Sequence, residues 1–219
     1  ISGVAFAIKT LRPGIKVYGV QAEGAPSMYQ SLHEGHPVHL PSVATIADGI
    51  CVKEPGVNTF AFCQKYVDEV VTVSDDEVAA AILALIEKQK LVSEGAGAVS
   101  VAAVMFDKLP VQGKKVCCLV SGGNIDVNTL NRVITRGLVK SGRFYTAIIN
   151  LADKPGQLSG VCGVIAQLGG NIISVTHERL DASVEINGCT LRIDMETRNA
   201  EHIEQVRQGL RDAGYKVLN

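Results

Sequence analysis

The sequence predicts two fold classes in one chain: an α/β unit with a parallel sheet, then an α+β unit of ferredoxin-like βαββαβ order. Three observations carry this. Strand-like runs at 16–22, 69–73 and 116–120 alternate with helical stretches, the mark of βαβ units on a parallel sheet. The pattern then pauses at Lys140-Ser141-Gly142-Arg143. After the pause the order is strand, helix, strand, strand, helix, strand. The division falls into residues 1–140 and 144–219.

Residues 1–12 read as a helix stopped by Arg12-Pro13-Gly14. Lys16–Ala22 is a short strand, Glu23-Gly24-Ala25-Pro26 a turn, and 27–32 a short helix. A loop over 33–41 carries His33, His36 and His39 at spacings of three. Pro37 and Gly35 break the helix that would align these rings, and no Cys or carboxylate set completes a metal site. A helix over 59–66 and a strand over 69–73 follow. Ser74-Asp75-Asp76-Glu77 is a capping box opening a helix to about Lys90. Residues 97–107 form an Ala- and Val-rich buried helix. The apolar run 116–120 reads as a strand buried on both faces. Ser121-Gly122-Gly123-Asn124 ends it, and Asp126 caps a helix over 127–139. In an open α/β sheet that strand tip is where ligands bind.

In the second unit, 144–151 is a strand and Asp153-Lys154-Pro155-Gly156-Gln157-Leu158 leads into a helix to about Leu168, with Pro155 suited to its first turn, where a missing N–H is no loss, and Gly169-Gly170 as its cap. Strands over 171–179 and 184–197 flank a turn at 181–183, with an irregularity at Asn187-Gly188. A helix over 201–213 and a strand over 215–218 close the chain. Three strands are too few for an open parallel sheet. The chain also opens at full hydrophobicity with Ile1-Ser2-Gly3-Val4-Ala5-Phe6-Ala7-Ile8. It is therefore expected to start inside a domain.

Composition sets the class. The 219 residues are 47% hydrophobic and 20% charged, which is globular rather than disordered. A net charge of −1 and 5% aromatic content with no Trp give no basis for a nucleic-acid partner. Six cysteines form no C-x-x-C pair, so no structural zinc is expected. The adjacent Cys117 and Cys118 in a buried strand suit a reducing, cytoplasmic compartment. No window reaches membrane-spanning length and no signal peptide is read.

Three stretches, Ile1–Lys9, Ser93-Glu94-Gly95-Ala96-Gly97-Ala98 and Lys115–Asp126, together resemble the C-terminal half of the catalytic domain of threonine ammonia-lyase (threonine dehydratase), a pyridoxal phosphate family of fold type II. The βαββαβ order with Asp153–Leu158 at its first strand–helix joint resembles an ACT domain, an amino-acid-sensing regulatory module. The resemblance implies deamination of L-threonine, with L-serine secondary, to a 2-oxo acid and ammonia. It implies pyridoxal 5'-phosphate as cofactor, with Ser121 as the neutral partner of the ring nitrogen. Gly122, Gly49 and Ser2 are implied beside the cofactor. Glu94 is the acidic residue near the reacting atoms, or a charge favoured at a helix N-terminus. The family's Schiff-base lysine lies in a Ser-x-Lys-x-Arg-Gly setting and its phosphate loop just before the position of Ile1. Neither motif stands in these 219 residues, so the chain by itself is expected to be inactive. Gln21 and Ser27 stand where metal-binding relatives carry carboxylates, which argues against a divalent site. For the second unit the resemblance implies an effector site at Asp153, Pro155, Gly156, Gln157 and Leu158 for a branched-chain amino acid, and pairing of copies into a homo-oligomer (dimer or tetramer). Asp153 either accepts the effector's ammonium or caps the helix. Serine dehydratase or racemase of the same fold type, or a non-catalytic amino-acid sensor, are the alternatives.

Overall fold

The computed structural model describes residues 1–179 and 187–219. It divides into two units, Ile1–Arg136 and Gly137–Asn219. No helix among the described residues is long and apolar enough to cross a membrane.

The first unit holds a parallel pair of strands, β1 (Tyr18–Ala22) and β2 (Glu69–Val73), in register from Tyr18↔Glu69 to Ala22↔Val73. Helix α1 (Ser2–Leu11) lies against α3 (Val57–Tyr66), where Phe6 meets Phe62 and Tyr66 edge-on. Asp68, just before β2, ties both ends of the α1–β1 connection. Its carboxylate takes Lys9 at 2.6 Å, Lys16 at 2.8 Å and the Val17 N–H at 2.8 Å. Burial pushes this carboxyl up, but the bonds from Lys16, Lys9 and Val17 outweigh it and hold the group far below the usual carboxylate range.

Helix α2 (Ser27–Glu34) ends at Gly35 in the left-handed conformation. Its N-terminus has no capping side chain of its own; the Gln21 carboxamide oxygen accepts the Tyr29 N–H at 2.7 Å instead. The three nearby histidines work separately: His33 bonds the Tyr29 carbonyl, His36 the Pro37 carbonyl and His39 the Glu54 carboxylate.

The expected capping box is formed in both directions: Glu77 N–H donates to Ser74 Oγ at 3.3 Å, and Ser74 N–H to Glu77 Oε2 at 2.8 Å. It opens α4 (Asp75–Ala84), which widens into a π turn at Leu85–Gln89 and stops at Lys90 with φ 58°. Helices α4 and α5 (Gly95–Met105) bury Val78, Ala79, Ala81, Ile82, Ala98, Ala102 and Ala103 against Ala22 and Val73. Small residues on both helices allow this close packing.

One expectation fails here. Residues 116–120 form no strand: Val116 is 46% and Leu119 66% exposed, and Cys117 is exposed rather than buried. An apolar run becomes a strand only where a neighbouring strand takes its N–H and C=O groups. Among the described residues this run instead lies along α5, where Ser100 Oγ donates to the Leu119 carbonyl at 2.9 Å. The parallel sheet thus has two strands here, not the expected three. Helix α6 (Val127–Lys140) follows, with Asp126 Oδ1 accepting the Asn128 and Thr129 N–H groups as a cap.

The second unit is a four-stranded antiparallel sheet in the order β4-β5-β3-β6. Its strands are β3 (Phe144–Ala152), β4 (Asn171–Glu178), β5 (Gly188–Glu196) and β6 (Lys216–Val217). The chain order with α7 (Gln157–Gln167) and α8 (Ala200–Asp212) is βαββαβ. Both helices bury Val161, Ile165, Val206 and Leu210 against Ala147, Ile149, Leu191, Ile193 and Met195. Helix α7 ends as expected at Gly169 (φ +84°), whose N–H reaches Ala166 while Gly170 N–H reaches Ile165. Across β3, β5 and β4, Asp194 accepts from Thr146 at 2.6 Å and Ser174 at 2.7 Å, and these two bonds hold its carboxyl low. The buried His202 joins α8 to α7: its Nδ1 accepts the Arg198 N–H and its Nε2 bonds the Leu168 carbonyl at 2.8 Å. The expected turn at 181–183 and the strand start at Val184 lie outside the described residues.

Two expectations for the 153–158 loop are corrected. Pro155 is not in the first helical turn, because α7 begins at Gln157 behind Gly156, which caps it at φ 89°. Asp153 does not cap that helix. Its carboxylate is held by Arg179 Nε at 3.0 Å.

Candidate functional site

Loops at the carboxyl ends of β1 and β2 build one constellation, the side of a parallel sheet on which ligands bind. Asp75, the first residue of α4, accepts the Thr45 hydroxyl at 2.5 Å and the Ile46 N–H at 3.2 Å. Gly24, after β1, accepts the Ala44 N–H at 3.0 Å. These bonds fix the loop that carries a short turn at Asp48–Ile50, and so place Gly49.

Gly49 faces the start of α5. A Cβ there would stand 3.0 Å from Ala96 Cβ and 3.5 Å from Glu94 Oε1. A Cβ on Gly95 would strike the Ile46 carbonyl at 2.5 Å. The Ser93-Glu94-Gly95-Ala96-Gly97 stretch is therefore glycine-rich because helix and loop backbones touch.

Glu94 sits at the N-cap of α5, yet its side chain makes no cap hydrogen bond. The carboxylate turns instead to the 121–124 loop, where Oε2 accepts the Asn124 N–H at 3.0 Å. The Glu94 N–H in turn donates to the Gly122 carbonyl at 3.1 Å, and the buried Ser93 hydroxyl donates to the same carbonyl at 3.2 Å. A Cβ on Gly122, at φ +150°, would lie 2.6 Å from Glu94 Oε1. Glu94 thus stands at the helix N-terminus, where its charge is favourable, and also binds the 121–124 loop.

The structure thus brings Gly49, Glu94 and Gly122 together, with Ser121 next in the chain and solvent-exposed. Ser2 is not among them. It opens α1 where Ile1 lies against Gly19 of β1. The residues missed in the sequence are Asn124 and Ser93, which act through backbone N–H and hydroxyl; only the Gly-Gly-Asn turn hinted at the first. A separate cavity of about 590 Å³ lies along β2, lined by Tyr29, Cys63, Val70, Thr72 and Lys108, and touches none of these residues.

Residues 1–122 match the family described as pyridoxal-phosphate dependent enzymes. The chain belongs to this family. It is 48% identical over 217 residues to the L-threonine ammonia-lyase of Thermotoga maritima, covering 99% of this chain and 54% of that enzyme. It therefore spans about half the length of the relatives that it matches. Two solved structures share the α/β architecture. The processed form of threonine deaminase isoform 2 from Solanum lycopersicum superposes with a TM-score of 0.57 at 37% identity, over 62% of this chain and 40% of that one. Maize serine racemase gives a TM-score of 0.55 at 33% identity, over 64% of this chain and 44% of that one.

The family's cofactor can be tested against the residues present. Gly49 and Gly122 lie on two exposed loops, and their missing Cβ atoms make room for the half-buried Glu94 carboxylate between them. The exposed Ser121 hydroxyl next to Gly122 is a fitting partner for a ring nitrogen. The residues fit one wall of the cofactor site.

Proposed function

We propose that this chain supplies part of the active site of a threonine ammonia-lyase, which converts L-threonine, and L-serine secondarily, to a 2-oxo acid and ammonia. The observation that carries the reading is the Glu94 carboxylate, turned off its own helix onto the Ser121–Asn124 loop. The names of the relatives at 48% and 44% identity support the substrate class. Bound pyridoxal phosphate supplies an electron sink that lets the α-proton and the β-hydroxyl leave. Ser121 Oγ would meet the ring nitrogen as a hydroxyl, without forcing it to stay protonated. Gly49 and Gly122, lacking a Cβ, leave room for the Glu94 carboxylate. The Asn124 N–H holds the Glu94 carboxylate in place, where it orients cofactor or substrate. The discrimination between threonine and serine rests on one methyl group, worth about 1–3 kcal/mol.

The second unit is proposed as an ACT-type sensor that pairs with a second copy and binds a small branched-chain amino acid. Support comes from its βαββαβ order and from the turn at Gly156, where a Cβ would meet nothing within 4 Å. The Gln157 N–H donates to the Lys154 carbonyl at 3.3 Å, while the next two N–H groups of α7 have no intrahelical acceptor and suit a carboxylate. Pro155, Gln157 and Leu158 belong to this turn, and Asp153, although held by Arg179, is the nearby carboxylate that an effector's ammonium would have to share.

The test is a chimera in which this chain replaces the matching stretch of the Thermotoga maritima enzyme. The expected result is ammonia and 2-oxobutanoate from L-threonine. A soluble chimera that binds the cofactor and releases neither would overturn the proposal.

A further inference from the structure

Three side chains meet at one end of the second unit's sheet without any part in the cofactor wall. Asp153 follows β3, His177 lies on β4 and Cys189 on β5. The register pairs His177 with Leu191 and Cys189 with Leu151. Directly paired residues share a face, as do residues two apart on a strand. Both therefore lie on the helix-covered face with the core residue Leu191. One atom of each side chain, a carboxylate oxygen, an imidazole nitrogen and the thiol sulfur, lies within 4.8 Å of the other two. We propose that Asp153, His177 and Cys189 form a binding site for a single divalent transition-metal ion of the zinc type.

The Asp153–His177 separation fits this use better than direct contact, and the thiol lies within 4.8 Å of both. Asp153 Oδ1 and His177 Nε2 stand 3.8 Å apart, beyond hydrogen-bond reach. Two ligands on one tetrahedral ion, with bonds of ~2.0–2.3 Å, are roughly 3.3–3.8 Å apart. The donors are of three kinds, and thiolate with imidazole selects a borderline-soft ion over calcium or magnesium, which take oxygen. The carboxylate is also oriented from behind. Its Oδ2 accepts Arg179 Nε at 3.0 Å, the kind of outer hydrogen bond that aims a metal ligand. The Asp153 N–H donates to the Asn187 carbonyl at 2.9 Å, which pins this residue beside the start of β5. Asp153 and His177 keep about a third of their side chains exposed, an entry path, while Cys189 is 1% exposed at the base.

Burial pushes the Cys189 thiol up, and the Asp153 carboxylate adds to this while Arg179 opposes it. Without an ion the sulfur keeps its proton. Binding exchanges that proton for the metal: the S–H bond breaks, the S–metal bond forms, and the proton passes to solvent. Affinity should thus rise with pH. The proposal needs neither an amino-acid effector nor the lyase reading.

The experiment uses the 219-residue chain, stripped with a chelator, free of pyridoxal phosphate and titrated with Co²⁺. One equivalent is expected to bind with a thiolate-to-cobalt charge-transfer band and the strong visible bands of tetrahedral cobalt, and zinc is expected to displace it. Cys189→Ser should remove the charge-transfer band, and His177→Ala should weaken binding more than tenfold. Arg179→Gln should keep the band and weaken binding by about 10- to 100-fold. A band that survives in Cys189→Ser places the ion on another cysteine and overturns the proposal, as does the lack of any band in the folded wild-type chain. If Cys189→Ser does not fold, alkylation of the unaltered chain decides. Zinc should slow labelling of the Cys189 peptide in the wild type and not in His177→Ala; equal labelling with and without zinc contradicts the site. No readout depends on ammonia release, so this failure is distinct from failure of the proposed activity.

Discussion

Replacing Gly122 with Ala should injure the site in two ways, by displacing Glu94 and by straining the backbone. The added Cβ would lie 2.6 Å from Glu94 Oε1, 2.7 Å from Cδ and 3.1 Å from Oε2. The carboxylate must therefore move, and its bond to the Asn124 N–H, 3.0 Å long, is lost. Losing a hydrogen bond of this kind costs about 1–1.5 kcal/mol. The backbone at φ +150° adds a strain of about 1–3 kcal/mol for any residue with a Cβ. The sum for Gly122→Ala is about 2–4 kcal/mol of stability in the first unit. In a Glu94→Ala background the carboxylate is gone and only the backbone strain remains. Urea unfolding followed by circular dichroism, run on the four members of this cycle, gives the coupling directly. The expected coupling is about 1 kcal/mol or more. Equal costs of Gly122→Ala with and without Glu94 would refute the reasoning.

Other predictions follow from separate contacts. Ser121→Ala in the active chimera should weaken cofactor binding by about 1–3 kcal/mol, some 5- to 150-fold, and lower turnover with the fold intact; unchanged titration and kinetics would remove Ser121 from the site. Asp68→Asn should destabilise the first unit by about 1–3 kcal/mol at neutral pH, read by thermal or urea unfolding. Because the folded carboxyl of Asp68 is depressed, its stabilisation is complete above the unfolded value near 3.9 and fades as pH falls towards the folded one. The difference between wild type and Asp68→Asn should therefore shrink below about pH 4, and a difference constant down to pH 2 would contradict the ion-pair account. His202→Phe loses two buried hydrogen bonds and should cost the second unit about 2–4 kcal/mol, visible as an earlier unfolding of that unit.

What the sequence made legible was local or periodic. The Ser74–Glu77 capping box, the Asp126 cap, the Gly169-Gly170 stop and the βαββαβ order each depend on residues near one another in the chain, and each is found in the structure. The run at 116–120 was misread because apolar content speaks to burial, whereas a strand also needs a partner that no local pattern reveals. Pro155 was placed inside α7 because proline favours a first turn; the left-handed Gly156 starts the helix two residues later. Glu94 was legible as a residue of interest but not in its role. Its bond to the Asn124 N–H comes from a loop 30 residues further on, which no local pattern reveals. Asp153, His177 and Cys189 are 24 and 12 residues apart, and strand register alone brings them to one end of the sheet.

The central claim is that Ser121, Glu94 and the glycines between two loops form the wall against which the cofactor ring lies. The most direct measurement is a crystal structure of the chimera with pyridoxal phosphate bound. Ser121 Oγ is expected within about 2.6–3.2 Å of the ring nitrogen, with the ring beside the loops that carry Gly49 and Ser121. A cofactor seated elsewhere, or a ring nitrogen facing another side chain, would contradict the account.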